Sequence, residues 1–174
     1  MEIPSLLFEA LVEGLREETS SLEASGLLKQ SCRDHALSRV FQEHVLRYLA
    51  LRHFYKRNPG EVVRFDTEKD GPIDLILEQG PARVAFEFKR WQTGKEKQEI
   101  NGKDCEKLKA FTSNNGGRSG YAVVFTNTNN AECKKNEEQY QKDFEDHLKQ
   151  YQLRRLQLIP LKDFTICEYL AELR

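Results

Sequence analysis

Two carboxylates and an amine fall at hairpin spacing in one short stretch, Gly71 to Trp91, GPIDLILEQGPARVAFEFKRW. Ile73, Leu75 and Leu77 alternate with Asp74, Ile76 and Glu78, and then Val84, Phe86 and Phe88 alternate with Ala85, Glu87 and Lys89. Period-two patterning on either side of Gly80-Pro81 predicts a β-hairpin. A four-residue loop from Gln79 to Ala82 sets Glu78 opposite Arg83, a favourable charge pair, and Asp74 opposite Glu87, an unfavourable one. Carboxylates directly opposite on one sheet face sit about 5 Å apart and repel. They are expected on the face away from Ile73, Leu75, Leu77, Val84, Phe86 and Phe88. Lys89 shares that face with Glu87, because side chains repeat every second residue. Two carboxylates and an ammonium so placed suit a hard divalent cation and a water. Mg²⁺ takes a few carboxylates and keeps its remaining waters, and a cation removes the repulsion. Taken alone, the same residues also fit a solvent-exposed strand face with ordinary charges.

Pro72-Ile73-Asp74 followed by Glu87-Phe88-Lys89 resembles the signature of the PD-(D/E)xK nuclease superfamily. Ile73 stands between proline and acid, where the family places them adjacent. The resemblance covers roughly Cys32 to Thr128: a helix, the acid-bearing hairpin, a charged helix and an apolar strand. It implies an α/β fold of restriction endonuclease-like architecture, a central mixed β-sheet flanked by helices. The implied order is helix, three-strand meander, helix, strand. It also implies an Mg²⁺-dependent endonuclease, with Mn²⁺ as substitute, that hydrolyses phosphodiester bonds by in-line attack of water. Asp74 and Glu87 would be metal ligands, with the Phe88 backbone carbonyl completing the set. Lys89 would orient the water or stabilise the developing charge. It acts as general base only if its pKa is lowered, and the adjacent carboxylates oppose that. DNA is favoured over RNA through the resemblance alone. Family members carry a further Glu on the helix before the sheet, and Glu43 in VFQEHVLRYLA matches it best. A helical wheel nevertheless sets Glu43 off the main apolar stripe, beside Leu46 and Ala50. The family's charged helix lies near the substrate backbone, which points to Lys107 and, more weakly, to Arg90 and Lys103 as nucleic-acid contacts.

The elements that position these groups follow from periodicity. Residues 1–28 hold one Arg and six Glu, and Ser5 is expected to cap a helix with Leu6, Leu7, Ala10, Leu11 and Leu15 on one face. This acidic prelude (1–30) is expected on the outside of the domain. A long helix is expected from about Arg33 to Arg57, its stripe being Leu37, Val40, Phe41, His44, Val45, Tyr48 and Leu49, with His44 as a satisfied core histidine. Leu46, Ala50 and Phe54 suggest burial on a second side, and Asn58-Pro59-Gly60 stops the helix. Residues 29–57 carry seven basic and two acidic residues, a solvated face or a footprint for phosphates. Glu61 to Asp66 is expected to be a strand. Trp91 to Asn101 is expected to be a mobile loop beside the site, and Gly102 to Ser113 a helix with Leu108 and Phe111 inward and Asp104, Lys107 and Lys109 displayed. After a flexible turn at Asn114 to Gly120, Tyr121 to Thr126 is apolar throughout, as in a strand covered on both faces. Residues 131–174 are expected to give a charged helix (Glu132–Tyr151), a strand (Leu156–Leu161) and a terminal helix (Lys162–Arg174).

Composition narrows the classes. A chain of 174 residues, 39% hydrophobic and 32% charged, is expected to form one domain with a core of its own (33–128) and to be globular. A formal charge of −1 gives no global basic field for nucleic acid. No apolar run reaches membrane-spanning length, so no membrane partner is expected. The acidic start lacks a secretory leader. Four scattered cysteines are expected to be free thiols in the cytoplasm rather than a zinc site. A homodimer or partner subunit is expected if both strands of a duplex are cut, through the acidic N-terminal segment or the C-terminal helix. Two other readings stay open: a catalytically silent nucleic-acid-binding or assembly subunit, and a protein-interaction or immunity-type domain without a nucleic-acid role.

Overall fold

The computed structural model describes residues 2–25, 41–58, 64–65, 73–90, 102–113, 117–129, 142, 145–146, 148–160 and 164–174. The protein is α/β, with a mixed sheet between helical layers. In chain order the elements are α1 (Ile3–Ala24), α2 (Glu43–Arg57), β1 (Arg64–Phe65), β2 (Leu75–Gln79), β3 (Ala82–Arg90), α3 (Lys103–Ser113), β4 (Arg118–Asn129), β5 (Tyr151–Pro160) and β6 (Phe164–Leu173). The six strands lie in the order β1-β2-β3-β4-β6-β5. Only β3 and β4 run parallel, and α3 is the crossover between them; the other pairs are antiparallel.

The hairpin register is the one the sequence predicts. Leu75 pairs with Phe86, Leu77 with Val84, Glu78 with Arg83 and Gln79 with Ala82. Arg83 Nε lies 2.5 Å from Glu78 Oε1. Gly80 and Pro81 alone make the turn, with Gly80 at φ 57°. Pro81 cannot take a positive φ, so of the two favoured hairpin turns only type II′ is open, which wants glycine first.

Each face of the sheet has its own apolar cluster. Leu75, Leu77, Val84, Phe86, Phe88, Tyr121, Val123 and Phe125 pack under α1 and α2. Ile76, Ala85, Ala122 and Val124 pack against Cys105, Leu108 and Phe111 of α3. The YAVVF run is therefore buried on both sides, as expected. Ile73 is a correction: it joins the α3-side cluster because the chain bends at Asp74, which breaks the alternation before β2 begins.

The N-terminal helix also differs from expectation. Ser5 is not its cap: α1 starts at Ile3 after Glu2, with Pro4 in the first turn, where its missing N–H costs nothing. Leu7, Phe8, Leu11 and Leu15 are fully buried, so α1 is a core layer rather than an outer appendage. It pairs with α2, and Gly14 sets their approach, since a Cβ there would stand 2.9 Å from His53 Cδ2. The acids of α1 meet the bases of α2: Arg57 Nε lies 2.6 Å from Glu13, Arg52 3.5 Å from Glu18, and Lys56 3.6 Å from Glu17. Three cations proposed for a phosphate footprint are thus engaged inside the chain.

Helix α2 begins at Glu43, after an extended Gln42. The expected start near Arg33, with Leu37 and Val40, lies outside the described residues, but Phe41 is a bend and not helix. The stripe is also rotated. Leu46, Leu49, Ala50, His53 and Phe54 are buried, whereas His44 is exposed and Tyr48 is 59% exposed. The core histidine is His53.

The C-terminal segment is a strand, not the expected helix. Ile166, Leu170 and Leu173 mimic helical spacing, but Thr165 to Ala171 is buried without interruption, with Ile166 and Leu170 in one cluster and Cys167, Tyr169 and Ala171 in the other. Such two-sided burial suits a central strand, and β6 pairs with both β4 and β5. A C-terminal helix cannot then supply a dimer contact. The preceding strand starts earlier than expected, at Tyr151. Of the helix expected over Glu132–Tyr151, only Lys142, Glu145 and Asp146 are described as helical. The expected loop at Trp91–Asn101 and Cys32 and Cys133 lie outside the described residues; Cys105 and Cys167 are buried.

Glu168 of β6 shares a face with Ile166 and Leu170 and is fully buried. Neither carboxyl oxygen has a hydrogen-bond partner among the described residues. Burial raises its pKa well above 4.5, against a smaller pull from Arg16. A raised folded-state pKa means the contribution to stability is full below about 4.5 and is lost as pH rises through the folded value. We predict that Glu168→Met, of similar volume, stabilises the protein by about 1–3 kcal/mol at pH 7. The gain should shrink toward pH 4.5 in thermal melts, and a Met variant less stable at every pH would contradict this.

Candidate active site

The site forms where β3 outruns its neighbour. The β2 pairing begins at Leu75 opposite Phe86, so among the described residues Glu87 to Arg90 have only β4 as a strand partner. Asp74 stands at that edge. Its Oδ2 accepts a hydrogen bond from the Phe88 backbone N–H at 2.8 Å. A strand residue directs its N–H and C=O to the same edge, so the Phe88 carbonyl shares the edge with Asp74. Arg47, one turn along α2 from Glu43, donates from Nη1 to the Asp74 carbonyl at 2.9 Å and ties the bend to the helix.

Glu87 projects to the α3 side and is 2% exposed. Burial, followed by the charge of Asp74, pushes its pKa up to about 8. A shift of this size means that ionising Glu87 beside Asp74 costs on the order of a few kcal/mol. Of the three residues expected to meet, Asp74 and Glu87 are close enough to interact, and Lys89 makes its ion pairs with Asp104 and Glu43.

Three further groups close the cluster. Lys89 Nζ lies 3.0 Å from Asp104 Oδ2 and 3.5 Å from Glu43 Oε1. Lys107 Nζ lies 2.8 Å from Asp104 Oδ1 and 3.5 Å from Glu87 Oε1. A chain of alternating charge, Glu43–Lys89–Asp104–Lys107–Glu87, thus joins α2, β3 and α3. Burial alone would lower the pKa of Lys89, but the Asp104 hydrogen bond and the charges of Glu43, Asp104 and Asp74 outweigh it and hold it above the usual lysine value. Lys107 is likewise raised, burial being overcome by Asp104 and Glu87. Both ammonium groups are donors at neutral pH, so Lys89 does not serve as a general base.

Glu43 reaches Lys89 because the buried stripe of α2 runs through Leu46 and Ala50, beside which the wheel had set it. Lys107 joins the cluster. Lys103 is exposed at the start of α3, outside this chain of contacts, and Arg90 ends β3 with its side chain outside the description. Two residues were missed. Asp104, expected on display, is 5% exposed and bridges both lysines. Arg47 was counted only as part of a basic patch. Its i, i+4 spacing from Glu43 was the available signal, hidden by the misphased stripe.

Asp74, Glu87 and the Phe88 carbonyl would offer a metal two carboxylates and a backbone oxygen, hard donors of the kind Mg²⁺ or Mn²⁺ takes with waters completing the shell. A cation between Asp74 and Glu87 would favour the ionised form of Glu87, against the burial that raises its pKa. Among the described residues no group of three or more His, Cys, Asp or Glu side chains is arranged to hold a metal ion. No helix among them is long and apolar enough to cross a membrane. A scan against protein-family models and searches of curated proteins and of solved structures return no match.

The coupling of the two acids is directly measurable. In the metal-free protein, Asp74→Asn removes a charge that raises Glu87, so the carboxyl-carbon NMR midpoint of Glu87 should fall from about 8 toward the ordinary range. A parent midpoint already in the ordinary carboxylate range would contradict the geometry.

Proposed function

We propose that this protein is a metal-dependent nuclease with a restriction endonuclease-like core that hydrolyses phosphodiester bonds, DNA being the favoured substrate. The observation that carries the reading is the neighbouring carboxyls of Asp74 and buried Glu87 at the end of strand β3, with Lys89 two residues beyond Glu87. Asp74 caps the Phe88 N–H, but that task does not need a second acid buried beside it, and a divalent cation would relieve the cost of the pair. The order α2, β1–β3, α3, β4 matches the expected core of the family, and β5 and β6 extend the sheet beyond it.

Bound Mg²⁺ would polarise the phosphate and offset charge on the leaving oxygen. Asp74 and Glu87 would hold it, with the Phe88 carbonyl on the same edge. Lys89, kept protonated by Asp104 and Glu43, would donate to the attacking water or to a phosphate oxygen and so stabilise the charge that develops there. Glu43 would act through Lys89, and Lys107 would contact the substrate backbone.

Incubation with plasmid, linear and branched DNA, and with RNA, in Mg²⁺ or Mn²⁺ tests the reading. In single-turnover assays Asp74→Asn, Glu87→Gln and Lys89→Ala should each lose about 100-fold or more in cleavage, with Glu43→Gln showing a partial loss. Lys107→Ala should mainly weaken binding and flatten its salt dependence, because a phosphate contact contributes counterion release. Parent-like cutting by both Asp74→Asn and Lys89→Ala would refute the assignment.

A further inference from the structure

Asp104 sits in the first turn of α3, and its two oxygens serve different lysines, Oδ1 at 2.8 Å from Lys107 and Oδ2 at 3.0 Å from Lys89. Lys107 has a choice of carboxylates: Asp104 at 2.8 Å and Glu87 at 3.5 Å. Lysine is a point charge on a flexible stem, so its ammonium moves to whichever acid holds it better. Charge-assisted bonds of the Asp104 length are the strong ones. Glu87, at 2% exposed, has little water to compete for the ammonium once Asp104 no longer does. The two ion-paired oxygens of Asp104 also leave it poorly placed to serve as a metal ligand itself.

We infer that Asp104 is a positioning residue: it keeps Lys107, already 3.5 Å from Glu87, from closing further onto that acid, which leaves the Asp74–Glu87 pair accessible to a cation, and with its other oxygen it fixes Lys89. Without it, Lys107 closes onto Glu87 and places a positive charge where a divalent cation would bind. The use made of the cation rests on the nuclease reading; the arrangement of the lysines does not.

The test combines Asp104→Asn, Lys107→Met and the double variant, each checked for folding by circular dichroism, with two readouts independent of cleavage. One is Mn²⁺ affinity by calorimetry. The other is the acetylation rate of each lysine in metal-free protein, read by mass spectrometry. Asp104→Asn should weaken Mn²⁺ binding about tenfold, the scale typical of groups behind a metal ligand. Lys107→Met should bind at least as tightly as the parent, and the double variant should recover that affinity, because the competing ammonium is gone. Lys89 should acetylate several-fold faster in Asp104→Asn, while Lys107, transferred to buried Glu87, should not. An affinity loss that persists in the double variant would make Asp104 a ligand and overturn the inference, as would an unchanged Lys89 rate. If Asp104→Asn fails to fold, weaker Mn²⁺ binding by Lys107→Met alone still overturns it. A parent protein that takes no Mn²⁺ sinks the nuclease reading, while the Lys89 rates still decide whether Asp104 positions the lysines.

Discussion

Strand β3 extends past the start of β2, and among the described residues its edge there is met by a carboxylate, which accepts the Phe88 N–H. From that contact the rest of the site follows. Asp74 satisfies the Phe88 N–H, and in doing so stands beside Glu87, an acid already buried by the α3 layer. Two acids so placed hold a proton or take up a cation. Lys89, Lys107 and Asp104 then distribute the remaining charge so that the lysines have carboxylate partners at 3.5 Å or less. Helices on opposite faces contribute because the sheet ends there: α2 supplies Glu43 and Arg47, and α3 supplies Asp104 and Lys107.

The α1–α2 layer behaves differently. Its charges are numerous but mostly exposed or half-exposed, where each pair contributes little. Its stability comes from the buried faces of α1 and α2, brought close by Gly14 against His53 and Leu49. The ion pairs engage Arg52, Lys56 and Arg57 of α2 with acids of α1. What remains of α2 for function is its N-terminal turn, where Glu43 and Arg47 reach the sheet end.

Much of this was legible in the sequence. Period-two alternation and Gly80-Pro81 placed Glu78 against Arg83 and Asp74 beside Glu87, because register in a tight hairpin is fixed by the turn. The apolar run at Tyr121 to Phe125 announced a doubly covered strand. Failures came where two patterns compete. Ile166, Leu170 and Leu173 fit a helix as well as a buried strand, and only pairing with β4 and β5 decides between them. The stripe on α2 was drawn through His44 and Tyr48 because no sequence rule says which side of a mixed surface meets the sheet. Asp104 was hidden for a related reason: a charged residue in a helical first turn reads as solvated until the lysine that buries it is known to arrive from another strand.

Crystals of the protein grown or soaked in Mn²⁺ and measured by anomalous scattering test the central claim most directly. The account predicts a single strong peak between the Asp74 and Glu87 carboxylates, within coordination distance of both and beside the Phe88 carbonyl. Saturating Mn²⁺ with no peak there, and with Lys107 still beside an undisturbed Asp74–Glu87 pair, would contradict it.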